Sequence, residues 1–173
     1  MSVSKHIQEH LKMGINYPPS ASGGAGSIGT GVFASDKGDF IHTGNSNETT
    51  LKTVLIPAGD ISLTGFIRII HHWRFAGSGG NRLLRVKLNG VPVSFLSNNA
   101  SVFSTKTMTV VRNLDSGTQV FFPASSPSGL GIDTAVNGVA TIDTTQDITL
   151  TFTGQLTDPS DSIELAHFTV EIN

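Results

Sequence analysis

The dipeptide Asn89-Gly90 constrains this chain more than any other feature, because Asn-Gly supplies the positive φ angles that a two-residue type I′ turn requires. Ahead of it, Leu84, Val86 and Leu88 alternate with Arg85 and Lys87, the pattern of a strand with one face in a core and one in water. The segments on either side of the turn are therefore expected to pair antiparallel. Only 14% of the residues are charged, while Gly, Ser, Thr and Asn are plentiful, a composition that suits short strands and turns better than helices.

Further strands follow from the same alternation. Residues 51–56 are β-rich and are stopped by Pro57, which has no amide proton to continue a ladder. Residues 66–75 form the longest apolar run; Ile67, Ile69, His71, Trp73 and Phe75 share the face expected in the core, and Phe66, Arg68, Ile70, His72 and Arg74 share the other. Residues 76–81 read as a loose loop, 102–111 as a strand, 119–122 as a short strand, and 123–133 as a loop rich in Ser, Pro and Gly. Near the end, Ile148, Leu150 and Phe152 alternate with Thr149, Thr151 and Thr153, so the Thr side is expected to meet water. After a turn at residues 157–161, Ile163 and Leu165 lie on one parity and Phe168, Val170 and Ile172 on the other, a switch that a β-bulge near His167 explains. Roughly eight strands with turns between them and no internal repeat indicate an all-β, antiparallel jelly-roll β-sandwich rather than a propeller.

The first part of the chain reads differently. Residues 4–13 form the one predicted helix, with Ser4 as its cap and Ile7 and Leu11 on one face. So short a helix is marginal alone and must dock on something. Residues 17–31, beginning Tyr17-Pro18-Pro19 and rich in Gly and Ser, bury too little to fix their own conformation and read as an extended arm. The expected organisation is an N-terminal helix and arm over residues 1–42, serving attachment, and a sandwich domain over 43–173. Ile7, Leu11, Tyr17, Pro18 and Pro19 are the candidate attachment residues. No signal peptide or membrane span is expected, since no window of about 18 apolar residues occurs, and the protein is expected to be soluble and made in the cytoplasm.

A net charge of −2 gives no reason to expect nucleic acid or an anionic membrane as partner, but the charges are partitioned. Between Asp60 and Asp115 the chain has no acidic residue and carries Arg68, Arg74, Arg82, Arg85, Lys87, Lys106 and Arg112; beyond Asp115 it has no Lys or Arg. Two readings follow. In the first, basic and acidic strands are neighbours within one sandwich, in pairs worth about 0 to 1 kcal/mol each. Alternatively, Arg68, Arg74, Arg85 and Lys87 of one subunit meet Asp143, Asp147 and Glu164 of the next, which would make assembly salt-sensitive.

No catalytic signature is present. Adjacent residues of a strand point to opposite faces, so His71 and His72 cannot both chelate one ion. Asp143 with Asp147, or Asp158 with Asp161, could be imagined as a glycosidase pair or as calcium ligands, but turns are rich in Asp and no EF-hand pattern occurs. The Gly-rich stretches at 23–26 and 77–80 lack the ending and setting of phosphate loops and read as flexible connections. Trp73 falls on the core face and Tyr17 in the arm, leaving few platforms for sugars. The chain is expected to be no enzyme and to need no metal or other cofactor.

Residues 43–59 resemble the opening, residues 83–90 the central strand, and residues 142–156 with 161–165 the terminal hairpin of small virion proteins of tailed bacteriophages. The resemblance covers residues 43–173. It implies a capsid decoration or cement protein, a head fibre or a tail-fibre module, working as a homo-oligomer, by family likeness a trimer. The expected partner is a major capsid protein or another virion protein and the expected place the capsid exterior; the alternative is a fibre module that binds a cell-surface glycan or receptor. The N-terminal helix and arm depart from the simplest members and favour attachment.

Overall fold

The computed structural model describes residues 31–38, 40–77, 79–99, 101–122 and 138–173. Among these there is no helix, and the strands are β1 (Gly31–Asp36), β2 (Phe40–Thr43), β3 (Thr49–Ile56), β4 (Phe66–Ala76), β5 (Arg82–Leu88), β6 (Val91–Asn98), β7 (Ser104–Asn113), β8 (Gln119–Phe122), β9 (Gly138–Ala140), β10 (Ile148–Leu156) and β11 (Ser162–Ile172). All pairings are antiparallel. A seven-stranded sheet runs β1-β11-β4-β7-β8-β9, with β2 also on β11, and a four-stranded sheet runs β3-β10-β5-β6.

Asn89 (φ 46°) and Gly90 (φ 81°) take the positive angles that the sequence demands, and Leu88 faces Val91 across the turn. Outward from this tip the pairs nest: β5 with β6, β4 with β7, β3 with β10, and β2 with β11. These eight strands pair outward from Asn89-Gly90 with successive pairs in alternate sheets, and β1, β8 and β9 extend the larger sheet. The side chain of Asn89 also accepts from the amide of Thr149 at 2.7 Å, tying the tip to β10.

The core lies between the sheets. Ile67, Ile69, His71, Trp73 and Phe75 of β4 are buried, as the alternation requires, facing Leu84, Val86 and Leu88 of β5 and Ile148, Leu150 and Phe152 of β10. Full burial of each such aliphatic or aromatic side chain contributes roughly 1.5 to 3 kcal/mol. In β11 the register against β4 steps from Leu165 opposite Trp73 to His167 opposite His72, so the bulge sits at Ala166 and returns Phe168, Val170 and Ile172 to the core. On β10, Thr149 and Thr151 are half-buried, but Thr153 is buried, because a bulge after Phe152 and the residues before β3 bring Glu48 onto its hydroxyl at 2.5 Å.

The sandwich begins earlier than position 43. β1 and β2 lie end to end along β11, and Ala34 and Phe40 pack on the core. Residues 31–42, expected in the arm, thus include two sheet strands; they are short, and their pairing comes from a strand more than a hundred residues away in sequence. β9 is likewise short, its Gly138 lying against the ring of Phe121, where a Cβ would come within 2.0 Å. The helix expected at residues 4–13 and the loop at 123–133 lie outside the described residues. No helix among the described residues is long and apolar enough to cross a membrane.

Candidate interaction surfaces

At one end of the sandwich the loop after β4 closes on the loop before β11. The carboxylate of Asp161 accepts from the amides of Gly79 (3.0 Å) and Gly80 (3.1 Å) and pairs with the Arg82 guanidinium at 3.1 Å; both side chains are essentially inaccessible, at 1% and 0% exposure. Arg82 also donates to the carbonyls of Gly77 (2.7 Å), Ala76 (3.3 Å) and Asn99 (3.1 Å). A Cβ at Gly77 would stand 2.0 Å from Asp161 Oδ1, and its φ of +94° favours glycine. Gly79 and Gly80 are therefore not part of a loose connection: their amides cradle an anion, and that anion is the chain's own Asp161. Asp158, half-buried in the same loop, accepts from the hydroxyl and amide of Ser160, which hold its carboxyl below the usual range. Asp158 and Asp161 are thus committed separately, one to its turn and one to Arg82.

The charge partition is expressed along neighbouring strands. Arg68 faces Glu171 and Arg74 faces Glu164 across β4 and β11, and both pairs form ion pairs on the outer face of the larger sheet. Arg85 (3.5 Å) and Lys87 (2.6 Å) of β5 meet Glu48 on the outer face of the smaller sheet. Partial burial pushes the Glu48 carboxyl up, but hydrogen bonds from Lys87 and Thr153 and the charges of Arg85 and Lys87 outweigh it and hold the group low. Asp143 and Asp147 lie at the opposite end: the hydroxyl and amide of Thr145 hold the Asp143 carboxyl low, and Asp147 accepts from the amide of Ala58 at 2.9 Å. An open cleft of about 380 Å³ sits there, lined by Gly59, Ile61, Ser62, Leu63, Thr144 and Thr145 among others. Beside it, burial raises the carboxyl of Asp60.

His71 and His72 point to opposite faces. His71 is buried; its Nδ1 accepts from Trp73 Nε1 at 2.6 Å, its ring meets Phe152 edge-on at 6.0 Å, and burial pushes its pKa down to about 3. His72 is half-buried on the outer face, opposite His167 and Lys106. Among the described residues no group of three or more His, Asp and Glu is placed to hold a metal ion. Trp73 is fully buried and offers no platform to a sugar. The attachment candidates Ile7, Leu11, Tyr17, Pro18 and Pro19 lie outside the described residues.

Both outer faces carry apolar side chains, with Leu55 and Phe95 exposed on that of the smaller sheet. That of the smaller sheet carries Thr53, Thr149 and Thr151 beside the Glu48 cluster, with Arg85 lying over Phe95 at 5.3 Å. That of the larger sheet carries an apolar group: Ile70 beside Met108, Val110 next along β7, and Val120 beside Val139, which is 68% exposed. Sequence reasoning missed Glu48 and Asp161 as organisers of charge, since each meets its cations across at least 37 positions of chain with no local motif to mark it.

No family model and no curated protein matches the sequence. Among solved structures, the dimeric latent PorU of Porphyromonas gingivalis is similar over 88% of this chain and 14% of that one, at 14% identity and a TM-score of 0.33. The chain thus spans about one seventh of that protein, and a likeness of this extent carries no argument.

Proposed function

We propose that this chain is a non-enzymatic structural protein of a tailed-phage virion, a decoration or cement protein held on the capsid exterior, and that its sandwich is a jelly-roll. The observation that carries the reading is the strand order. With β1 and the short β8 and β9 set aside, the sheets run β2-β11-β4-β7 and β3-β10-β5-β6, and nested pairing outward from one hairpin tip is what rolling a single ribbon into two interlocked Greek keys produces. This supports the resemblance carried by residues 43–59, 83–90, 142–156 and 161–165, all of which fall on those strands or the turns between them. Fold alone does not assign a role, so the role rests on that resemblance and on the character of residues 1–30. Rich in Gly and Ser, with Ile7, Leu11, Tyr17, Pro18 and Pro19 as contacts, they would follow an uneven capsid surface and gain affinity from several weak contacts joined through an oligomer.

The test is co-sedimentation with heads stripped of the protein, comparing the full chain with a version lacking residues 1–30; cutting at 42 would remove β1 and most of β2. Binding by the full chain alone supports attachment through the arm. Binding by neither sinks the decoration reading and turns attention to a fibre module, for which a glycan array is the next screen.

A further inference from the structure

We infer that the cleft at the Asp143 end of the sandwich holds residues 5–13 of the same chain, with Ile7 and Leu11 in the cleft and Lys5 and Lys12 at its acidic rim. The docking concerns the free chain and does not depend on the proposed function. If that function holds, the segment that grips the capsid is stored on its own body until a capsid draws it off.

Three loops, 57–65, 113–118 and 141–147, are tied together around the cleft. The amide of Gly59 donates to the Thr144 carbonyl (3.4 Å), that of Thr144 to the Ser116 carbonyl (2.8 Å), and the side-chain amide of Asn113 to the Ser62 carbonyl (2.9 Å). Ala58, Ile61 and Leu63 give the cleft apolar walls; Leu63 is 64% exposed, and Leu114, on the neighbouring turn, 57%. At about 380 Å³ it lies near the lower end of the roughly 300 to 1,000 Å³ of ligand sites, room for a few side chains and not for a folded domain.

The start of β1 brings residues 1–30 to this end. Gly31 pairs with Ile172, and the carbonyl of the next residue, Asn173, accepts from the amide of Phe66 (3.3 Å) and the hydroxyl of Ser62 (3.5 Å), which lines the cleft. A Gly-rich tether the length of residues 14–30 spans about 20 to 25 Å. A partner on such a tether has an effective concentration on the order of millimolar, so a contact too weak to capture a free peptide is still populated. Charge selects the segment. Asp60, Asp115, Asp143 and Asp147 stand on the three loops, which contain no Lys or Arg; Arg112, at the end of β7, turns to the outer face of the larger sheet. In residues 1–30 the charged side chains are Lys5, Glu9 and Lys12, with His6 and His10 between them, and the two lysines bracket Ile7 and Leu11. Residues 14–30 carry no charge.

The test places a nitroxide on Gln8→Cys in the full chain, which has no other cysteine, and reads amide signals by NMR. Those of Ser62, Leu63 and Thr145 should be strongly broadened, while those of Asn81 and Asn99, beside Arg82 at the other end, keep their intensity. Ile7→Asp combined with Leu11→Asp should restore the cleft signals, and Lys5→Glu combined with Lys12→Glu should restore most of them. Broadening that survives Ile7→Asp with Leu11→Asp comes from the nearness of the tether alone and overturns the inference, as does equal broadening at both ends. Broadening that passes from spin-labelled to isotope-labelled chains in a mixture means that a second copy fills the cleft, which overturns docking within one chain. A chain that fails here and still co-sediments with heads loses the docking and keeps the virion reading; one that docks here and ignores heads does the reverse.

Discussion

The enclosed side of this sandwich and the outer face of its larger sheet use the same side chains for different ends. Arg82 meets Asp161 where both are inaccessible, and Arg74 meets Glu164 where the Arg side chain is 56% exposed. His71 and His72, one position apart, divide in the same way. Inside, the contacts are made away from water: Arg82 pairs with Asp161 and donates to Gly77 while its Nε has no partner among the described residues, and His71 accepts from Trp73 while its Nε2 has none. Outside, water shares the load. A partition of charge that looks uniform in sequence therefore closes the fold in one place and only dresses a surface in the other.

The sharpest break of this comparison is Asp161→Ala, which leaves Arg82 buried without its counter-ion. Removing one partner of a buried pair costs about 3 to 5 kcal/mol, and urea denaturation of the full chain should register a loss of that size. Arg82→Met combined with Asp161→Leu should cost less than the two single changes added together.

Next in size is the response to acid. Burial holds the folded-state pKa of His71 at about 3, below the unfolded value near 6.5, so between those values the unfolded chain binds the extra proton. Stability is full above about pH 6.5 and falls as pH drops toward 3, at up to about 1.4 kcal/mol per pH unit from this group. His71→Gln, which keeps an acceptor for Trp73, should flatten the slope between pH 6 and pH 4 in melts followed by CD; an unchanged slope would mean that His71 does not govern it. The smallest effect belongs to Glu164→Gln on the outer face. An exposed pair is worth about 0.2 to 1 kcal/mol and is screened by salt, so the denaturation midpoint should barely move, and a loss above about 2 kcal/mol would erase the distinction between the two sides.

What the sequence made legible is what depends on neighbours in the chain. Alternation placed the inner face of β4 and the apolar row of β10, Asn89-Gly90 announced its turn, and the parity switch between Leu165 and Phe168 announced the bulge. What escaped depends on distance. β1 and β2 are too short to signal a strand and exist because β11 offers them an edge. The Gly77–Gly80 loop reads as slack until Asp161, about eighty residues on, is set inside it. The outer-face ion pairs were legible as a partition of sign, but the pairing of Arg68 with Glu171 and Arg74 with Glu164 needs the β4–β11 register. Glu48 gave no local sign that it would gather Arg85, Lys87 and Thr153.

The central proposal is that the sandwich is carried on a capsid by residues 1–30. Electron cryomicroscopy of stripped heads re-decorated with the full chain tests it most directly. The account predicts ordered density for an eight-strand jelly-roll on the capsid exterior, joined to the shell by an extended N-terminal segment, and bare heads when residues 1–30 are removed. Bare heads with the full chain, or density at the tail alone, would contradict it.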